Sequence, residues 1–216
     1  RMHTHPHTVT HSVSFRGWSI NAVRRWVEDL SDAACRPRQK MLLITEMKQM
    51  ELALRESEWE RGAYNFKARL EFSRVLEDVA GRQGQLGNFI TAQGGVPEYP
   101  LVLVLDREGN RLAWFVYAGN HIPPVVFDSG DAGWAYDATD NRLYRVFRQQ
   151  IWLGTGENGV LLTFRRIDHA LLGTLTYPET ELVALWQNRP VASSLGEDGM
   201  KAAEADLALV ADLIDD

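Results

Sequence analysis

Four of the six histidines, His3, His5, His7 and His11, occupy odd-numbered positions at the start of the chain. On an extended segment they share one face, and neutral imidazoles so placed can chelate zinc, nickel or copper. No cysteine lies near enough to complete a tetrahedron, so a fourth ligand must come from elsewhere in the fold, with His121 or Asp128 as candidates. A second oxygen-rich stretch holds Asp128, Asp131, Asp137 and Asp140 around Trp134 and Tyr136. Carboxylates at that density suit a hard cation, but the EF-hand spacing is absent. Asp beside Gly and Ser is also ordinary turn chemistry, in which the side chain bonds its own backbone.

Arginines supply the third constellation. Arg142, Arg145, Arg148, Arg165 and Arg166 oppose only Glu157 between residues 142 and 167, five positive charges against one negative. Tyr144, Phe147, Trp152 and Phe164 are interleaved with them. Arginines and aromatics on one sheet face can hold single-stranded nucleic acid by phosphate contact and stacking. The arginines do not share a parity, however, so a regular strand sends Arg145 and Arg148 to opposite faces.

The other chemical signatures fail on context. Gly154-Thr-Gly156-Glu-Asn-Gly159 matches a dinucleotide-binding string, but the residues that follow read as a strand where a helix is required. Ser193 and Ser194 stand outside a nucleophile elbow. Asp168 and His169 are adjacent, so their side chains diverge along a strand. Glu179 and Glu181 lack flanking acid–base context. Cys35 lacks an electropositive helix start and has no second cysteine to pair with. No cofactor is expected.

These residues must be positioned by an α+β fold. From Leu101 to Ile167 short apolar runs alternate with Gly, Asn, Asp and Pro turns, the pattern of an antiparallel sheet. Strands are expected at Leu101 to Leu105, Leu112 to Tyr117, Val125 to Phe127, Leu143 to Leu153 and Val160 to Ile167. Alternation also predicts strands at residues 7–15 and from Tyr64 to Phe72, where Tyr64, Phe66, Ala68, Leu70 and Phe72 line one face. Two helices, Ile20 to Ala34 and Gln39 to Glu58, are expected to pack on one face of the sheet. The second carries a stripe of Leu43, Met47, Met50 and Leu54. A short helix is expected at Arg74 to Ala80, then a long glycine-rich connection from Gly81 to Gly95. Residues 1–190 read as one domain, helix-rich over 16–60 and sheet-rich over 63–186. Residues 191–216 read as a linker and an acidic amphipathic helix with its apolar stripe at Met200, Ala203, Leu207, Val210 and Ile214.

At 216 residues with 45% hydrophobic composition, the chain can bury a substantial core. A net charge of −6 argues against nucleic-acid binding over the whole surface. No apolar run is long enough to span a bilayer, and a soluble protein without a membrane partner is expected. Three function classes follow. The first is a non-catalytic structural or assembly protein, acting through a protein partner or self-association, in the cytoplasm or within a virion or other large complex; its contact surfaces are the C-terminal stripe, the sheet edge and the methionine-bearing helix Gln39 to Glu58. The second is a nucleic-acid-binding module using the five arginines. The third is a metal-dependent enzyme using the N-terminal histidines or the Asp128–Asp140 cluster.

Overall fold

The computed structural model describes residues 37–95, 97–154, 156–174, 182–187 and 189–214, with the side chains of 37–54, 128–129 and 206–214 left outside the description. The expected strand at 7–15 and helix at Ile20 to Ala34 fall outside the described residues. The chain divides into two compact units, Arg1–Arg55 and Glu56–Asp216. The second holds the sheet.

Helix α1 runs from Pro37 to Ser73 and α2 from Arg82 to Thr91. Six strands follow: β1 (Leu101–Leu105), β2 (Arg111–Val116), β3 (Val125–Ser129), β4 (Ala132–Asp137), β5 (Arg142–Trp152) and β6 (Asn158–Ile167). A short helix α3 (His169–Thr174), the hairpin β7 (Val183–Trp186) and β8 (Arg189–Ser193), and helix α4 (Gly196–Ile214) complete the unit. The six-stranded sheet has the order β2-β1-β6-β5-β4-β3, with every neighbouring pair antiparallel. The α+β class with a largely antiparallel sheet is thus the observed one.

Four expectations are corrected. The segment from Tyr64 to Phe72 is the last part of α1 and not a strand. Its buried residues are Trp59, Ala63, Phe66 and Leu70, whose spacing of four, three and four is helical, while Tyr64 and Phe72 are exposed. The apparent alternation arose because a second apolar set, Tyr64, Ala68 and Phe72, lies on the opposite side of the same helix. The glycine-rich connection from Gly81 to Gly95 contains α2, while Arg74 to Ala80 is turns. Arg82, Leu86 and Ile90 recur every four residues and are all buried. Their burial outweighs Gly84 and Gly87, each of which costs a helix about 1 kcal/mol. Finally, the linker expected after Pro190 begins as strand β8 and turns directly into α4.

Strand parity divides the core in two. One sheet face presents Val102, Val104, Leu143, Phe147, Ile151, Leu161 and Ile167 to α1 and α2, where they meet Phe66, Leu70, Leu86 and Ile90. The other presents Leu101, Leu103, Tyr144, Val146, Leu162 and Phe164, with Tyr144 and Phe164 packed edge to face at 6.2 Å. Both faces of the central strands are buried, which explains the unbroken apolar run of β1.

The strand order places a demand on residues 117–124. They join β2 at one edge of the sheet to β3 at the other. Five strand spacings in a flat sheet amount to roughly 24 Å. Nine residue steps reach roughly 30 Å when extended. The connection is therefore a strap with little slack, and it crosses the Tyr144–Phe164 face. Ile122 packs on that face and Pro123 is buried. The Tyr144 hydroxyl donates to Asn120 Oδ1 at 2.8 Å. Arg142 donates from Nη1 to the Gly119 carbonyl and to Asn120 Oδ1.

At the β2 edge α2 supplies a plug. The Gln83 side-chain amide donates to the Trp114 carbonyl and accepts from the Trp114 N–H, both at 2.8 Å. It bonds as a neighbouring strand would. At the other end of the unit, Glu197 and Asp198 occupy the first turn of α4, where the helix dipole favours carboxylates.

Candidate functional site

The hairpin between β4 and β5 turns through Ala138 to Asn141, with Asn141 left-handed at φ 50°. Asn tolerates that conformation better than most residues. Asp137 ends β4, and its Oδ1 accepts the Thr139 N–H at 2.9 Å, fixing the carboxylate at the lip of the turn. Tyr136 donates to Asn141 Oδ1 at 2.9 Å, and Asn141 Nδ2 donates to the Pro190 carbonyl at 2.9 Å. The turn is thereby fastened to the β7–β8 hairpin, where Trp186 also stacks on Tyr136 at 5.9 Å.

The strap brings His121 to this turn. Its Nδ1 lies 3.4 Å from Asp137 Oδ2 and 3.5 Å from Asp140 Oδ2. One ligand atom from each of the three residues falls within 4.8 Å of the others. Asp137 is only 5% exposed, yet its Oδ2 accepts no hydrogen bond. Arg142 Nη1 sits 3.2 Å from Asp140 Oδ2, so one guanidinium borders the pair of carboxylates. The chemistry available is that of one imidazole nitrogen and two carboxylate oxygens facing a common point.

Sequence alone singled out Asp128, Asp131, Asp137 and Asp140 as one group. The hairpin of β3 and β4 divides it. Asp131 pairs with Arg148 at 3.2 Å, away from Asp137 and Asp140, and the Asp128 side chain is outside the described residues. His3, His5, His7 and His11 also lie outside them. His121 was recognisable only as a conditional partner, because its place depends on strand order, and no local spacing encodes that.

The five arginines are dispersed by parity. Arg145 and Arg165 lie on the helix-covered face, and Arg142, Arg148 and Arg166 on the other. Arg145, 8% exposed, pairs with Glu56 at 3.3 Å and lies 4.6 Å over the Trp134 ring. Arg165 meets Glu98 at 2.8 Å, and Arg148 lies over Phe127 at 4.6 Å. Their aromatic neighbours are packing partners within the unit.

Other residues weighed for chemistry have structural work. Asp168 caps α3 by accepting the Leu171 N–H at 2.9 Å, and His169 Nδ1 meets the backbone of Ser193. Ser194 Oγ accepts the Leu182 N–H at 3.0 Å, and Ser193 Oγ accepts that of Leu195 at 3.0 Å. Gly154 and Gly156 lie between β5 and β6, and Asn158 and Gly159 already belong to β6, so the string runs into a strand as expected. Gly154 is required there, because φ is +87° and a Cβ would strike Glu77.

A small cleft of about 210 Å³ opens between α1, α2 and the approach to β1, lined in part by Phe66, Arg69, Ile90, Glu98 and Tyr99. Tyr99 is 2% exposed, and burial pushes its phenol above the usual range, with Glu98 adding to the effect. Along the C-terminal stripe, Met200 is buried and Ala203 half-buried in the unit, while Leu207, Val210 and Ile214 have side chains outside the description. Sequence reasoning missed the outer stripe of α1. Tyr64 is 60% and Phe72 90% exposed, with Ala68 exposed between them. Extending the spacing of four and three downstream from Trp59 would have assigned Ala63, Phe66 and Leu70 to the core side and left Tyr64, Ala68 and Phe72 as the remainder.

No protein-family model matches the chain, and no curated protein or solved structure matches it significantly. Among the described residues no helix is long and apolar enough to cross a membrane.

Proposed function

We propose that the chain is a non-catalytic assembly protein that works through protein–protein contacts, with a second copy of itself as the occupant of its outer helix face. The observation that supports this reading is the Tyr64–Ala68–Phe72 stripe of α1, apolar, regular and turned away from the core. Burying one large apolar side chain is worth about 1.5–3 kcal/mol, so Phe72 at 90% exposure is a sizeable unused gain. The stripe is also self-complementary. A small residue midway between two rings allows an antiparallel copy to pack about a two-fold axis through Ala68. Tyr64 of each copy would then meet Phe72 of the other. Lys67 and Glu71, 3.5 Å apart beside the stripe, present both charges to the flank of such a pair.

Three side chains alone fall short of the roughly 1,000 Å² that a specific interface buries. The bond from the Trp152 N–H to Glu71 Oε1 ties the end of β5 to this end of α1, so the stripe is held on a fixed scaffold. The C-terminal residues Leu207, Val210 and Ile214 remain the proposed second contact. The nucleic-acid reading draws no support from arginines divided between two faces, four of which are engaged by carboxylates or rings.

Light scattering over a range of concentrations tests the proposal. Wild type is expected to self-associate, and Phe72→Asp and Tyr64→Asp to shift it towards monomer, with unchanged unfolding midpoints at dilutions where all three are monomeric. A wild-type monomer at high concentration, with the same mass as both variants, would end it.

A further inference from the structure

The His121–Asp137–Asp140 cluster carries an inference independent of the assembly reading. Two of its edges, 3.4 and 3.5 Å, are too long for hydrogen bonds between an imidazole N–H and a carboxylate. They match ligand-to-ligand distances around a tetrahedral ion, where bonds of about 2.1 Å set donors about 3.4 Å apart. A buried carboxylate oxygen with no hydrogen bond is costly, and Asp137 Oδ2 is one, aimed at the common point of the three residues. Two carboxylates and the Arg142 guanidinium leave one net negative charge when the imidazole is neutral, so the point attracts a cation. Nitrogen beside oxygen donors favours a borderline ion over magnesium or calcium, which prefer oxygen alone.

We propose that His121, Asp137 and Asp140 bind a divalent transition-metal ion of the zinc class, and that this ion pins the edge-to-edge strap to the β4–β5 turn. Three protein ligands leave a coordination position to water, and the 62% exposure of His121 keeps the ion exchangeable. His121 belongs to the strap, while Asp137 and Asp140 belong to the sheet hairpin. Coordination therefore closes the strap onto the face that it crosses, and it stabilises the fold by mass action.

The test uses the full chain with His3, His5, His7 and His11 all replaced by Gln, which removes competing imidazoles. Zn²⁺ and Co²⁺ are titrated by calorimetry, with thermal unfolding and the visible cobalt spectrum as second readouts. One ion per chain, a raised unfolding midpoint and a cobalt spectrum of low coordination number are expected. Losing even an outer-shell partner weakens metal sites about 10–100-fold, so His121→Gln and Asp137→Asn should each weaken binding at least about a hundredfold. His121 is exposed, so its variant is expected to fold, and the Asn at 137 keeps an acceptor for the Thr139 N–H. Absence of Zn²⁺ binding overturns the proposal. So does wild-type affinity in His121→Gln, or equal affinity for Mg²⁺, which would mark a generic acidic patch.

Discussion

The two sides of α1 carry similar residues and meet opposite surroundings. On the inner side Trp59, Ala63, Phe66 and Leu70 are buried against the sheet and α2, and Phe66 packs on Tyr99 at 5.3 Å. On the outer side Tyr64, Ala68 and Phe72 are exposed. Composition does not separate the sets, since each has aromatic members and an alanine. The difference is angular: the sets lie about half a turn apart on a helix of 3.6 residues per turn. One side stabilises the fold, and the other is left in contact with solvent.

Leu70→Ala is the strongest way to test that division. Leu70 has no exposed surface, and truncation should cost about 2–5 kcal/mol in denaturant unfolding. A loss below about 0.5 kcal/mol, the range of ordinary surface changes, would mean that the inner side is not core.

A smaller effect comes from the tyrosine that leans on the inner side. Burial holds the Tyr99 phenol protonated beyond its ordinary range. Above about pH 10 the unfolded chain ionises at this residue and the folded one does not, so unfolding releases a proton. Stability is full below pH 10 and should fall with rising pH by about 1.4 kcal/mol per unit from Tyr99. Tyr144, also raised by burial, adds to the slope. Tyr99→Phe should flatten the alkaline limb of stability without loss at neutral pH, because the hydroxyl has no hydrogen-bond partner to lose. An unchanged limb would place the phenol in water.

The smallest expected effect sharpens the contrast most. Phe72→Ala, measured on monomer at low concentration, should change stability by less than about 0.5 kcal/mol. The larger response should appear in association. A cost comparable to that of Leu70→Ala would show that Phe72 packs inside its own unit.

The same helix shows what the sequence made legible. The strands from Leu101 to Ile167 were readable because β1 is a continuous apolar run and each turn carries its own chemistry. Asp106, for example, accepts both the backbone and side-chain N–H groups of Asn110 at 2.8 Å, and Gly109 takes φ +88°. Strand β4 was hidden because Gly133 and the aspartates at its borders, Asp131 and Asp137, resemble a loop. Helix α2 was hidden because Gly84 and Gly87 outweigh Arg82, Leu86 and Ile90 in any local count. The segment from Tyr64 to Phe72 was misread because two apolar stripes on opposite sides of a helix imitate a two-residue period. Of the candidate site, Asp137 and Asp140 were in view. Their meeting with His121 depends on which strands lie at the sheet's edges, a long-range property that residue spacing does not carry.

The amide of Gln83 has a consequence for how copies of this chain can join. Sheets aggregate by offering free backbone at both borders, and a filament needs two such borders per molecule. With Trp114 already satisfied by a side chain, the β2 border is closed at its middle. Of the two borders of the six-stranded sheet, β3 is then the one left for lateral pairing, and two molecules joined there leave no open border of that sheet for a third. The fold can form a closed couple by that route, and it resists becoming a fibre.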